Sequence, residues 1–185
     1  MIDEVLLDAE ERMTKAVEVL RDELLHIRTG KATTALLDGI KVDAYGQMMP
    51  LNQLATIGVP DPRLITVQPW DKSQVGAIEK AILSADLGFN PANDGTLIRI
   101  AIPQLTEERR KELVKVVHKF GEDSKIAIRN IRRDANEKLK KLEKDKEIME
   151  DEMFKSLDEV QKLTDKYTEQ IDKVVEAKDQ EIMQV

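Results

Sequence analysis

Residues 106–146, TEERRKELVKVVHKFGEDSKIAIRNIRRDANEKLKKLEKDK, contain no proline and a single glycine, Gly121. Read as one helix they would span about 60 Å, at a rise of ~1.5 Å per residue. At 100° per residue, Leu113, Val117, Phe120, Ile128, Ile131, Ala135, Leu139 and Leu142 fall on one stripe, mostly at spacings of three and four. That stripe must face a core. About a third of a turn away, Lys111, Lys115, Lys125, Arg129, Arg132, Arg133 and Lys140 form a second, basic stripe.

The stretch is also the only basic block of an acidic chain. It carries 14 Lys and Arg against 9 Asp and Glu, whereas residues 1–105 carry 10 against 15 and residues 147–185 carry 5 against 12. Arg129 and Arg132 have no carboxylate three or four places away on either side, and their neighbours at those spacings include Lys125 and each other. Like charges at those spacings cost a few tenths of a kcal/mol per pair, so a helix built for stability alone would avoid them. Two readings follow: acidic neighbouring helices absorb the charge, or an external polyanion binds there.

Working outward, Ile2, Leu6, Ala9, Met13, Ala16, Leu20, Leu24 and Ile27 predict an earlier amphipathic helix. Its stop is expected at Thr29-Gly30, because glycine takes the capping conformation that other residues resist. His26 in the last turn suits the helix dipole better than a catalytic role. All six prolines and seven of the eight glycines then lie between residues 30 and 103, the texture of short elements and tight turns. Strands are expected at Ile40–Tyr45, Leu54–Val59, Leu64–Gln68 and Thr96–Ile102, with a break at Pro60-Asp61-Pro62. A helix capped by Asp71 or Ser73 should carry Val75, Ile78 and Ile82 and end at Leu87-Gly88. Trp70 is expected to pack against the first turn of that helix, with stacking on a base as the other reading.

Beyond the basic block the lysines of residues 138–146 suit a helix C-terminus, and Glu150, Asp151 and Glu152 suit a new N-terminus. A chain reversal is therefore expected at Asp145–Met149, followed by a third long helix with Met153, Leu157, Val160, Tyr167, Ile171 and Val174 as its seam. Three such helices can bury their stripes only against one another. The predicted fold is an α+β multidomain chain. Residues 1–30 and 104–185 form an elongated antiparallel three-helix bundle, and residues 31–103 form a small α+β domain inserted between its first and second helices. The two crossings, Thr29, Gly30 and Lys31 and then Pro103, Gln104 and Leu105, are expected to act as a hinge.

Absent chemistry narrows the function. There is no cysteine, so thiol catalysis, disulfides and Cys-based metal sites are excluded. No Gly-rich phosphate loop, HExxH or nucleophile elbow occurs, and His26 and His118 have no matching nucleophile. No enzyme, cofactor or metal site is expected. With no long apolar run, and no basic-then-apolar leader in Met1-Ile2-Asp3-Glu4, a soluble cytoplasmic protein is expected.

Several blocks carry a resemblance: Arg28-Thr29-Gly30-Lys31-Ala32, Tyr45-Gly46 with Pro50-Leu51, Pro69-Trp70-Asp71-Lys72-Ser73, Asp86 to Pro91, Asn93-Asp94-Gly95, Leu105 to Arg110 and Ile128 to Asn136. In this order, over essentially the full length, the chain resembles the bacterial ribosome recycling factors. The resemblance implies a non-enzymatic translation factor, L-shaped and roughly tRNA-sized. Such a factor binds the large subunit of a ribosome that has finished a chain and, with elongation factor G and GTP, splits the subunits. It implies a bundle lying against 23S ribosomal RNA through Arg129, Arg132 and Arg133, with Arg110 and Arg28. The basic stripe adds Lys125 to that set. A monomer facing the partner GTPase with its inserted domain is expected. The chain departs from the family's usual residues at Lys31, commonly arginine, and Ala44, commonly aromatic. Lysine keeps the charge and loses the bidentate fork. The competing class is a non-enzymatic coiled-coil adaptor or structural protein, which explains the heptads but neither the basic stripe nor the compact insertion.

Overall fold

The apolar stripes of the long helices do find one another. The computed structural model describes residues 1–184. Its helices are α1 (Ile2–Leu25), α2 (Val75–Ser84), α3 (Glu107–Lys144) and α4 (Glu150–Met183). The chain divides into two compact units, Met1–Ile27 with everything from Glu107 on, and Arg28–Thr106. Three residues at each crossing, Arg28–Gly30 and Gln104–Thr106, therefore count with the inserted unit.

In the first unit α1, α3 and α4 form a three-helix bundle. Asp8 meets Lys138 and Arg12 meets Asp134, so α1 and α3 run antiparallel. His118 meets Asp179 and Lys125 meets Asp172, so α3 and α4 are antiparallel as well. Met13 and Leu20 of α1, Val117, Ile128 and Leu139 of α3, and Val160 and Ile171 of α4 are wholly buried. Each such side chain contributes about 1.5–3 kcal/mol by leaving water. Buried hydroxyls are bonded to backbone carbonyls: Ser156 to Glu152 at 2.7 Å and Thr164 to Val160 at 2.8 Å.

The reversal between α3 and α4 lies at residues 145–149. Lys146 takes a left-handed φ of 59°, with Glu147 N–H donating to Leu142 O and Lys146 N–H to Glu143 O. This is a Schellman closure built on lysine where glycine is usual. Glu152 then reaches back to the Met149 N–H at 2.9 Å, half of a capping box at the start of α4.

The first helix stops earlier than expected, at Leu25. His26 ends it: the ring Nδ1 lies 2.7 Å from Asp22 O and the backbone N–H bonds to Leu24 O, so a late carbonyl is satisfied without glycine. Gly30, with φ 76°, serves a different purpose, since a Cβ there would meet Leu105 Cγ at 3.2 Å.

The inserted unit holds a hairpin, β1 (Lys41–Ala44) with β2 (Gln47–Pro50), and an antiparallel sheet of β3 (Ala55–Asp61), β4 (Leu64–Pro69), β5 (Pro91–Asn93) and β6 (Ile98–Ala101). The sheet order is β3-β4-β6-β5. Its core joins Val42, Ile65, Val67, Ile98 and Ile100 of the strands to Ile78 and Ile82 of α2. Two strands escape the sequence reading, β2, which ends in proline, and β5, which begins with one. Both lie at an edge, where proline's missing N–H costs no ladder bond. For the same reason β3 runs on through Pro60, with a register irregularity between Gly58 and Asp61. α2 ends at Ser84 rather than Leu87, and Asp71 caps a 3-10 turn that precedes it, accepting from Ser73 N–H.

Trp70 overturns its expected burial. It is 66% exposed, and its Nε1–H donates to Thr56 Oγ1 at 2.8 Å. The polar edge of the indole is satisfied across the β3–β4 ladder, which leaves the ring faces to solvent.

Candidate nucleic-acid interface

The basic stripe of α3 is positioned by helix packing. One flank of α3 is fixed to α1 through Lys138–Asp8 at 2.9 Å and Asp134–Arg12 at 2.8 Å. The other flank lies against α4, and Gly121 marks how close the two helices come, because a Cβ there would stand 2.6 Å from Val175 Cγ2. With the apolar stripe turned inward between these neighbours, Lys125 and Arg132 of the basic stripe reach across to Asp172 and Gln161 of α4, Arg129 pairs along α3 itself, and Arg133 is exposed.

The structure treats the six cations picked out from the sequence unequally. Lys125 is paired with Asp172 of α4 at 2.6 Å, its side chain 28% exposed. Arg129 donates to Glu122 at 2.8 Å, a carboxylate seven residues back and outside the three-and-four window. For these two, acidic neighbours do absorb charge. Arg132 reaches no carboxylate: its Nη1 approaches Gln161 Oε1 at 3.4 Å, and Gln161 donates in turn to Asp165 at 2.9 Å. At that length the first bond is weak. Arg133 is exposed and, among the described residues, its side chain has neither a hydrogen bond nor an ion pair. Arg110 in the first turns of α3 likewise has no hydrogen bond, while nearby Glu107 is bonded to Lys111 at 3.0 Å. Arg28 belongs to the inserted unit, where its guanidinium donates to Leu87 O and stands 5.7 Å from the centre of the Phe89 ring. The structure thus brings Lys125, Arg129, Arg132 and Arg133 onto one face, and sets Arg110 at the start of the same helix.

The arrangement can bind an anion. A guanidinium without a carboxylate partner presents its planar fork to a phosphate and gives up no existing ion pair on binding. Among the described residues no group of three or more His, Asp or Glu is placed to hold a metal ion. No helix of the described residues is long and apolar enough to cross a membrane. His118, to which the sequence assigns no role, lies 2.5 Å from Asp179 and ties α3 to α4. Gly121, seen in the sequence only as the single glycine of the stretch, carries no packing role there, although an isolated glycine in mid-helix signals one.

Known proteins fit this architecture. The family model described as "Ribosome recycling factor" matches residues 20–183. The ribosome-recycling factor of Symbiobacterium thermophilum is 59% identical over 185 residues, all of both chains. That of Halalkalibacterium halodurans is 58% identical, again over all of both chains. A solution structure of the ribosome recycling factor aligns with a TM-score of 0.77 at 46% identity, covering 100% of this chain and 98% of that one. A second solved structure comes from models of the T. thermophilus ribosome recycling factor and E. coli elongation factor G on the E. coli post-termination complex. It aligns with a TM-score of 0.64 at 47% identity and full coverage of both chains. The bundle, its inserted sheet domain and this likeness along the whole length lead to one conclusion: the chain belongs to the ribosome recycling factor family.

Proposed function

We propose that this chain recycles ribosomes: it binds the large subunit after termination and, with elongation factor G and GTP, separates the subunits. The observation that carries the binding half is the pair Arg132 and Arg133, adjacent guanidinium groups without a carboxylate partner beside the paired Lys125 and Arg129 of the same stripe. The favoured ligand is the phosphate backbone of 23S ribosomal RNA. Arg132 and Arg133 make the primary contacts, Arg110 extends the face, and Arg129 and Lys125 exchange Glu122 and Asp172 for phosphate on docking. The solved relative that shares a post-termination complex with elongation factor G supports the pairing with that GTPase. In this reading the factor hydrolyses no nucleotide itself, and the force comes from the partner GTPase. The chain acts as a cytoplasmic monomer.

The inserted unit is the face offered to the GTPase. Its connections to the bundle, Thr29–Lys31 and Pro103–Leu105, form the joint through which a push is transmitted. Gly30 and Leu105 support this role, since the two connections touch there closely enough that a side chain at Gly30 would crowd Leu105. Sedimentation with purified large subunits across a salt series tests the binding half. Binding should fall steeply as salt rises, because each neutralised phosphate releases counterions. A salt-independent association, or none, would favour a coiled-coil adaptor.

A further inference from the structure

The family resemblance groups Arg28 with the RNA-binding arginines, and its surroundings assign it other work. Residue 28 comes three residues after the end of α1 at Leu25 and begins the inserted unit. Its side chain folds back onto the turn at residues 87–89: the guanidinium donates to Leu87 O and lies over the Phe89 ring at 5.7 Å. Gly88 lets it in, because with φ 79° its absent Cβ would stand 3.3 Å from Arg28 Nη1. Four residues on, Ala32 N–H is bonded to Pro62 O at 2.7 Å. Phe89 and Leu87 in turn pack against the buried core of the unit. The connection Thr29–Lys31 is therefore tied at both ends to the same body.

We infer that Arg28 is a positioning residue that latches the first connection to the inserted unit, so that a push on that unit reaches α1 without slack. With the guanidinium in place, rotation at residues 29–31 is opposed by anchors on both sides. Without it, residue 28 is released from the 87–89 turn and the push is partly spent in turning the connection. A guanidinium satisfied by a carbonyl and covered by a ring has also given up a donor and a face that phosphate would need. The inference rests on the recycling reading, whose failure would be evident first, as wild-type protein that neither binds large subunits nor splits ribosomes.

The test compares Arg28→Ala, Arg28→Gln and Phe89→Leu in the full chain, by subunit splitting with elongation factor G and GTP and by salt-dependent binding to large subunits. Circular dichroism and thermal melting confirm that each variant is folded. Arg28→Ala and Phe89→Leu should each lower the maximal splitting rate several-fold, while the factor concentration at half-maximal rate and the salt dependence of binding stay at wild-type values. Their double mutant should be no worse than either alone, because both remove one latch. Arg28→Gln keeps a donor for Leu87 O and loses the charge, so it should retain part of the rate. The inference is overturned if Arg28→Ala weakens binding and flattens its salt dependence with Arg28→Gln equally impaired, which is the behaviour of a phosphate contact. It is also overturned if Arg28→Ala splits ribosomes at the wild-type rate, or if the two losses add.

Discussion

Replacing Gly121 by alanine sets two effects of known size against each other. Glycine in a helix interior costs about 1 kcal/mol relative to alanine, so the substitution would stabilise an isolated α3. In the bundle the new Cβ would stand 2.6 Å from Val175 Cγ2, whereas carbon atoms in contact prefer about 3.5–4.0 Å. Val175 is β-branched and stiff at χ1 in a helix, so it has no easy rotamer to escape to and the helices must part. Overpacking of this kind costs about 1–3 kcal/mol, and a shortfall near an ångström belongs at the upper end. The net expectation is a loss of about 2 kcal/mol, or roughly 4–8 °C in Tm for a chain of this size. Thermal unfolding followed by circular dichroism measures it. Adding Val175→Ala removes the clashing methyl and should recover most of the difference from the Val175→Ala single variant. A Gly121→Ala protein that melts at or above the wild type would refute the close α3–α4 approach, and with it the geometry that borders the basic stripe with α4.

Arg132→Ala should weaken large-subunit binding and reduce the slope of log affinity against log salt by about one unit, with circular dichroism unchanged; an unaltered slope would return the stripe to simple charge balance. Acid should loosen α1 from α4. Lys166, then Tyr167, bond Glu10 and hold its carboxyl below the ordinary value of 4.5. That lowered folded-state value gives a stabilising contribution present above the unfolded value and lost as pH falls through the folded one. Glu10→Gln should therefore melt slightly below wild type at neutral pH, by little because the pair is exposed, and the gap should close in acid; a constant gap would exclude the linkage. The chain's single tryptophan is Trp70, so native fluorescence should be red-shifted and readily quenched by acrylamide, and a blue-shifted, protected spectrum would contradict its exposure.

The bundle was legible because its signals are long and redundant. The stripe Leu113, Val117, Phe120, Ile128, Ile131, Ala135, Leu139, Leu142 repeats often enough to fix a buried face: six of the eight are buried, and Phe120 and Leu142 are half-buried. The inversion from lysines to carboxylates located the reversal even though Lys146 occupies the left-handed position where glycine would have advertised it. Shorter elements depended on information outside the local stretch. The edge positions that admit Pro50, Pro60 and Pro91 into strands exist only once the sheet is assembled. The end of α1 at Leu25 was hidden because a histidine rather than Gly30 satisfies the carbonyl. On the candidate interface, spacing rules saw along α3 but not across to Asp172, nor two turns back to Glu122. Composition and periodicity could likewise not foresee that Arg28 would find Leu87 and Phe89 some sixty residues away, because that contact is made by the fold of the inserted unit.

In the proposed mechanism cations of α3 hold the large subunit while the inserted unit takes the push of the GTPase. Light scattering from purified post-termination ribosomes tests it most directly, after adding this protein with elongation factor G and GTP. Scattering should fall as subunits part. The fall should be absent when GTP is replaced by a non-hydrolysable analogue, and nearly absent for the double variant Arg132→Ala, Arg133→Ala at concentrations where the wild type saturates. Undiminished splitting by that double variant would contradict the claim that these arginines anchor the factor.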